Sequence, residues 1–490
     1  MTARADLHCH SAASQISKLG VQRALGLPEC ATPPEEVYAL AKRRGMDFVT
    51  ITDHDTIDGA LAIADRPDVF VSEELTGRFA GEPQAVHVLC LGITPDDHAR
   101  LQERAGDVEA VADYLHEHEI ACALAHPFYK VAAPLQPRHR RRLAELFDVW
   151  EVRNGARAPE LNQPAWVYVE TRGGAGIGGS DDHAGVDVGR TWTQTPAAAT
   201  PEAFLEHVRG GRVIAGGDQG SAAKWAHAAM AIAVRALGAG ERGAPPDPAA
   251  VLRMAERVMT EGDARAGAIG ADLSPSDAGA LLRAWLDATG LDLDAEHLLA
   301  SMQADGFRHE DLLRRARRRH ERALHGAVDR LVATATDPVP DWAGAALGLF
   351  HASVSAVPYV PAMAFLARET TRLSADADRT RVAVIADGIG STHGVTRTLA
   401  EIAERGVPGF DVEIVGSDAN VDRRMPAVTD VPLPYAPDVT VGVPSLLAMI
   451  EALTAGRYDL VHISAPGPAG LLAMLCAHVL ELPVAGAHHT

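Results

Sequence analysis

Five cysteines, Cys9, Cys30, Cys90, Cys122 and Cys476, are scattered through 490 residues with no Cys-x-x-Cys pair. That spacing excludes a zinc ribbon and offers no disulfide framework, and it fits a reducing cytoplasm. Basic charge is also scarce: 45 Lys and Arg stand against 65 Asp and Glu, a formal charge of −20. Such a balance does not suit neutralisation of a phosphate backbone, so no nucleic-acid partner is expected. The arginines from Arg138 to Arg142, and Arg314, Arg315, Arg317, Arg318 and Arg319, have no interleaved aromatics and read as solvated helix faces. An apolar N-terminal run is missing too, because Asp6 and His8 fall where a signal peptide needs its core. From Trp342 to Ala367 there is no Asp, Glu, Lys or Arg, yet His351, Pro358 and Pro361 interrupt the stretch. A buried or bridging helix is expected there rather than a membrane span. The sequence contains neither a short internal repeat nor a low-complexity tract.

What is present is a rhythm. This length accommodates two or three domains with separate cores. Over residues 1–221 short apolar runs alternate with helical stretches. Pro33 and Pro34 open a helix through Arg44, with Thr32 as its expected N-cap and Gly45 as its stop. Strands are expected over 47–52, 69–71, 87–91, 121–125, 149–152 and 176–179, and helices over 107–118 and 201–210. Strand–helix alternation of this kind predicts a parallel sheet or barrel. Residues 222–380 lose the strand signal and read as a helical connector, with a flexible linker at Gly238 to Pro248 and one long polar helix over 308–334. From 381 to 490 the α/β rhythm returns. Strands are expected over 382–386, 412–415, 460–464 and 484–487, and helices over 395–405, 445–455 and 467–480.

The stretch Asp6-Leu7-His8-Cys9-His10-Ser11 places two imidazoles on one face of an extended segment, with Cys9 on the other. Further candidate ligands follow at the ends of apolar runs: Thr52-Asp53-His54-Asp55, Glu73-Glu74, His87, Ala125-His126-Pro127, Glu151 with Asn154, and Ser180-Asp181-Asp182-His183. Loops at the carboxyl ends of barrel strands converge, so these side chains are expected in one cleft. Mixed imidazole and carboxylate donors suit zinc, manganese or iron. Two or three divalent cations held together would bind phosphate oxygens and activate a water, which points to hydrolysis of a small phosphorylated substrate.

Carried on His8-x-His10, Thr52-Asp53-His54, Glu74, His87, Ala125-His126-Pro127 and Ser180-Asp181-x-His183, residues 4 to about 220 resemble the polymerase-and-histidinol-phosphatase (PHP) superfamily. That resemblance implies a distorted seven-stranded β/α barrel and a metal-dependent phosphoesterase. It implies one metal on His8, His10, Glu74 and Asp181, and a second, bridged by Glu74, on His87 and His126. His54 and His183 would serve a third metal and act as the catalytic pair. It also implies Arg190 as a substrate-phosphate contact, with a structural ion pair as the alternative. One departure is plain: the family's first motif continues to an aspartate, where this chain has Gln15. A neutral amide is a poorer ligand, so a weak third site is expected.

Asp387-Gly388-Ile389-Gly390-Ser391-Thr392-His393-Gly394 follows a strand and opens a helix, leaving backbone N–H groups for an anion at Gly388, Gly390 and Gly394. With Tyr458-Asp459-Leu460-Val461-His462, Pro466-Gly467-Pro468 and His488-His489-Thr490, residues 381–490 resemble the acceptor-side Rossmann-like half of family 4 glycosyltransferases of the GT-B arrangement. The donor-binding half of that arrangement is absent. The whole therefore reads as a PHP phosphoesterase fused to an incomplete glycosyltransferase. The alternatives are a transferase with a regulatory PHP barrel and a non-catalytic sensor of a phosphometabolite.

Overall fold

The computed structural model describes residues 2–14, 27–237, 275–291, 295–371, 379–387, 394–418, 420–433, 436–465 and 467–486. The chain divides into two compact units: Met1–Gly240 with Thr260–Gly279 and Asp294–Phe307, and Glu241–Met259 with Ala280–Leu293 and Arg308–Thr490. The helices anticipated as a connector are thus shared out. Ala222–Leu237 and Ala295–Gln303 belong to the first unit, and His309–Thr336, Trp342–Ser353 and Tyr359–Thr371 to the second. The linker anticipated at Gly238 to Pro248 lies outside the described residues.

In the first unit, β1 (Thr2–Ala5) pairs with β7 (Thr191–Pro196), which pairs with β8 (Ile214–Gly217), all antiparallel. A second sheet runs in chain order through β2 (Ser72–Arg78), β3 (Ala85–Leu91), β4 (Ala121–Ala125), β5 (Val149–Asn154) and β6 (Ala175–Gly179). Alternation predicted parallel strands throughout, but β2/β3 and β3/β4 are antiparallel and only β4/β5 and β5/β6 are parallel. For β2/β3 the reason is connection length: Phe79 to Gln84 is too short for a crossover helix, so the chain turns back as a hairpin and β3 runs against both neighbours.

Two extended segments, 6–10 and 49–54, close the sheet into a ring. Asp181 N donates to His8 O (2.6 Å), His10 N to Asp182 O (3.0 Å), Thr52 N to Cys9 O (2.9 Å) and Glu74 N to Asp53 O (3.1 Å). With β2 to β6 these make seven staves. The strand predicted over 47–52 is represented only by isolated bridges, Val49 with Val69 and His54 with Glu74. Side chains stand in for the ladder here. Cys9 N donates to Thr52 Oγ1 (3.1 Å), Ser11 N to Asp53 Oδ1 (2.6 Å) and His54 N to Ser14 Oγ (3.2 Å).

Helix Pro34–Arg43 ends before Gly45, whose φ of +78° suits glycine. Its N-cap is Pro33, without a side-chain cap. The predicted cap Thr32 instead offers its carbonyl to Ala12 N (2.8 Å). Inside the ring one end is apolar. Leu7, Leu89, Leu91, Ala121, Ala123, Val149 and Ile177 pack there against Phe204 and Val208 of helix Pro201–Arg209. Further along β3 and β2, alternation brings His87 and Glu74 to the inward face at the other end, with His87 opposite Ala125. Helices Pro95–Arg104, Val108–Glu117, Pro137–Leu146 and Pro159–Arg172 cover the outer face through Leu101, Leu115, Leu143 and Ala165.

In the second unit, β9 (Thr380–Ala386), β10 (Phe410–Gly416), β11 (Arg423–Arg424), β14 (Leu460–Ile463) and β15 (Val484–Gly486) form a parallel sheet of order β11-β10-β9-β14-β15. The β9 run Val382 to Ala386 is buried throughout, as a central parallel strand requires. A hairpin, β12 (Ala427–Leu433) with β13 (Ala436–Pro444), was not foreseen, and the prolines within it hide the strand signal. The apolar stretch near residue 350 forms two helices bent by 56°. Among the described residues no single helix is long and apolar enough to cross a membrane.

Candidate metal centre

The polar end of the ring gathers side chains from six places in the chain. Segment 6–10 carries His8 and His10, and segment 49–54 ends in His54. Strands β2 and β3 contribute Glu74 and His87, His126 follows β4, and Asp181 and His183 follow β6. Among the described residues, four overlapping groups bring potential ligand atoms within 4.8 Å of one another: His8 with Glu74 and His126, His8 with His10 and Asp181, His54 with Glu74 and His87, and His10 with His54 and His183.

Glu74 is the hub. Its Oε2 lies 3.3 Å from His8 Nε2, 3.3 Å from His10 Nε2 and 3.0 Å from His54 Nδ1. Its Oε1 lies 2.6 Å from His87 Nδ1 and 3.0 Å from His126 Nε2. Glu73 alternates to the opposite face, where His98 and the Gln102 amide hold it at 2.9 Å each. Asp181 Oδ1 lies 3.5 Å from each of His8 Nε2, His10 Nε2 and His183 Nδ1. Its Oδ2 is fixed by Asn154 (3.1 Å) and Arg157 (3.0 Å). The backbone is forced at two of these positions, with φ of +25° at His126 and +49° at Asp181, the left-handed region that non-glycine residues avoid.

Several acidic neighbours act as wiring rather than as part of the cluster. Asp53 accepts from Ser11 N and Oγ (2.6 Å each), and Asp55 from Thr76 N (2.6 Å) and Oγ1 (2.9 Å). Asp182 takes the Gly185 (2.6 Å) and Asp187 (3.0 Å) amides. Two further carboxylates touch it: Glu151, already a candidate from the sequence, and Glu29, which was not. Glu151 Oε1 is 3.0 Å from His8 Nδ1, while its Oε2 accepts from His126 N and Asn154 Nδ2 (2.9 Å each). Glu29 Oε1 is 3.3 Å from His54 Nε2 and 3.9 Å from His183 Nε2.

The electrostatics favour cations. Burial pushes the Glu74 carboxyl up, but the charges of His54, His87 and His8 outweigh it and hold it well below the usual carboxylate range. Burial likewise raises Asp181, and His8 with Arg157 outweighs it. Burial, with His183 beside it, drives His10 down to about 3, so its imidazole is neutral and able to ligate. For His8, burial lowers the pKa but the charges of Glu151, Glu74 and Asp181 raise it well above normal. A spot that draws a proton onto a fully buried ring is a spot for positive charge.

These residues fit divalent cations on a structural ground as well. His8 Nε2, both ring nitrogens of His10 and Glu74 Oε2 are buried without a hydrogen bond of good geometry. Leaving such groups unpaired costs about 1–3 kcal/mol each. Cations among them would engage Glu74 Oε2, His8 Nε2 and one nitrogen of the neutral His10 ring, donors that zinc, manganese or iron accept.

Arg190, anticipated at the substrate, has other partners. Its Nε lies 3.2 Å from Asp187 Oδ1, and its terminal nitrogens donate to the carbonyls of Phe307 (3.2 Å) and Ala304 (2.9 Å). It is buried and braces the first unit, which matches the ion-pair alternative for this residue. Gly388, Gly390 and Gln15 lie outside the described residues, and Gly394 opens helix Gly394–Arg405.

Comparisons with known proteins bear on the same region. Residues 159–213 match the family model PHP_C, described as PHP-associated. That stretch includes Asp181 and His183. An uncharacterized protein of Methanocaldococcus jannaschii is 38% identical over 58 residues, 12% of this chain and 32% of its own length. The matched stretch thus spans about a third of that curated relative. A solved two-domain protein from Bacteroides vulgatus, described as containing a predicted PHP-like metal-dependent phosphoesterase, is 16% identical with a TM-score of 0.35, over 44% of this chain and 65% of that one. An amidohydrolase from Chromobacterium violaceum, solved with sulfate and no metal, is 16% identical with a TM-score of 0.30, over 43% and 97%. Likenesses at those scores leave the assignment to the side chains themselves.

Proposed function

We propose that the first unit is a metal-dependent phosphoesterase of the PHP type, hydrolysing a small phosphomonoester or diester with two or three divalent ions. The observation that carries the reading is Glu74, one fully buried carboxylate with an imidazole nitrogen of five histidines within 3.3 Å of its two oxygens. Each oxygen faces its own set of rings, the arrangement of a bridging ligand.

When bound, the ions would supply Lewis-acid polarisation of the phosphate and a water of lowered pKa. The chain's own residues do the rest. His8, His10 and Asp181 would hold one ion, and His87 and His126 the other, with Glu74 common to both. Asn154 and Arg157 grip Asp181 Oδ2 and so aim Oδ1 at the imidazoles. Glu151 on His8 Nδ1 sets that ring's tautomer so that Nε2 faces inward. With only two ions bound, His54 and His183 would be the proton-handling pair of this proposal. The His183 side chain is 22% exposed while His8 and His10 are sealed, so it is the ring that meets solvent and substrate. A formal charge of −20 repels an anionic phosphoester, so its affinity would come from the metal-filled centre.

For residues 381–490 the Rossmann-like reading is supported by the parallel sheet and its strand order. The glycosyltransferase assignment stays a proposal resting on sequence resemblance.

The test is metal analysis and turnover of a generic phosphoester by wild type and by a His8→Ala, His10→Ala double variant. The wild type should hold at least two equivalents and turn over, and the variant should lose both properties. Under one equivalent in the wild type, or full metal and activity in the variant, would overturn the assignment. Tight metal binding with no turnover of any phosphoester would replace hydrolysis by sensing.

A further inference from the structure

Position 15, where the resemblance calls for a carboxylate, is the neutral Gln15, and the histidines left for a third cation are His10, His54 and His183. Three imidazoles carry no charge, and a buried dication held by neutral donors alone is poorly compensated. The structure places an anion beside them from another part of the chain. We propose that Glu29 is the anionic ligand of a third divalent cation, bound with His54 and His183; this rests on the metal-centre reading above.

Glu29 is 3% exposed, and its Oε1 faces His54 Nε2 at 3.3 Å and His183 Nε2 at 3.9 Å. Its second oxygen accepts from Ser14 Oγ (3.3 Å), so one oxygen is anchored while the other is presented to the two rings. His54 is turned to suit: Nδ1 points to Glu74 and Nε2 to Glu29, so one ring separates the bridging carboxylate from the new one. His10 stacks on His183 with ring centroids 4.0 Å apart, and neither of its ring nitrogens has a hydrogen bond of good geometry. The Glu29 backbone is tied down nearby. Ala12 N donates to Thr32 O (2.8 Å), and Cys30 Sγ approaches His10 O (3.5 Å). Segment 27–33 is thereby laid against the metal-bearing segment 10–14. A carboxylate buried beside two imidazoles, one at the solvent-facing rim, is what a third cation near the substrate requires.

The competing view makes Glu29 only an orienting acceptor for His54, and metal stoichiometry separates the two. The experiment titrates manganese and zinc, separately, into metal-stripped full-length wild type, Glu29→Gln and Glu29→Asp, by calorimetry and equilibrium dialysis, with circular dichroism as the check on folding. The glutamine is isosteric and keeps an acceptor for Ser14. Expected are three equivalents for wild type, two for Glu29→Gln with the affinity of those two within about threefold, and a weakened third for Glu29→Asp. The third site should weaken at least about a hundredfold in Glu29→Gln, beyond the 10–100-fold typical when a merely orienting partner is lost. Three equivalents of wild-type affinity in folded Glu29→Gln would overturn the proposal while leaving the Glu74 centre standing. So would two equivalents in wild type. Less than one equivalent in wild type would overturn the centre and this site together. If Glu29→Gln fails to fold, a Glu29→Asp third site as tight as wild type would likewise count against ligation.

Discussion

Glu151 reaches no cation position itself, yet it holds two of the ligands: His8 through Nδ1 at 3.0 Å and His126 through its backbone N–H at 2.9 Å. A neutral amide in its place accepts one of these bonds less well and no longer raises the basicity of the His8 ring. Glu151→Gln is therefore expected to weaken metal binding about 10–100-fold with the fold intact, measured by competition against a chelator. Unchanged affinity would mean that Glu151 does not set the His8 tautomer. The contrast with the histidines shows what was readable. His8-x-His10 and Ala125-His126-Pro127 combine a ligating residue type with a spacing, so they announce themselves. Glu151 was marked only as a candidate at the end of a strand, its role as a holder of His8 and His126 hidden, and Glu29 is a single carboxylate that nothing local marks. The same blindness works in reverse, since Asp53, Asp55 and Asp182 look like ligands beside their histidines but spend their oxygens on backbone amides and hydroxyls.

At the scale of elements, the centre depends on segment 6–10 lying unusually close to β6. A Cβ on Gly179 would fall 2.3 Å from His8 Cβ and 2.7 Å from its backbone nitrogen, contacts that no rotamer relieves. Gly179→Ala must push the His8 segment away, at a cost of about 1–3 kcal/mol or more. It is expected to lower metal affinity as well as the melting temperature, whereas a substitution that costs only stability would leave affinity unchanged. Titration of the folded variant at low temperature decides between these. The glycine-rich run Ala175-Gly176-Ile177-Gly178-Gly179 was legible as a strand, but its purpose was not, because the partner it admits lies more than 160 residues away in sequence. Strand direction was equally hidden. Periodicity says that Ala85–Leu91 is extended, and only the short link from β2 makes it antiparallel, which carries His87 to the ligand end from the start of its strand. In the second unit the β12–β13 hairpin escaped because Pro432, Pro434 and Pro437 read as loop.

For the whole molecule the decisive fact is that every proposed ligand, from His8 to His183, belongs to the first compact unit. That unit is not a single run of chain. It recruits Ala295–Gln303, where Gln303 donates to Glu36 (2.5 Å) and to Gly185 O (2.8 Å), and Arg190 donates to the Ala304 carbonyl (2.9 Å). A boundary drawn at residue 221 from composition misses these ties, since helix-rich sequence carries no sign of which core its apolar face will join. Ligand binding stabilises only the structure that forms the site, by about 2.7 kcal/mol at a free concentration one hundred times Kd. Saturating metal is therefore expected to slow amide hydrogen exchange in β2 to β6, in segment 6–10 and around Gln303. Exchange in β9, β10 and β14 of the second unit should stay as it is. Protection confined to the immediate ligands would show that the ring opens in pieces smaller than the unit. Equal protection of β9 and β14 would show that the two units unfold as one, and the division drawn from their packing would then have no energetic counterpart.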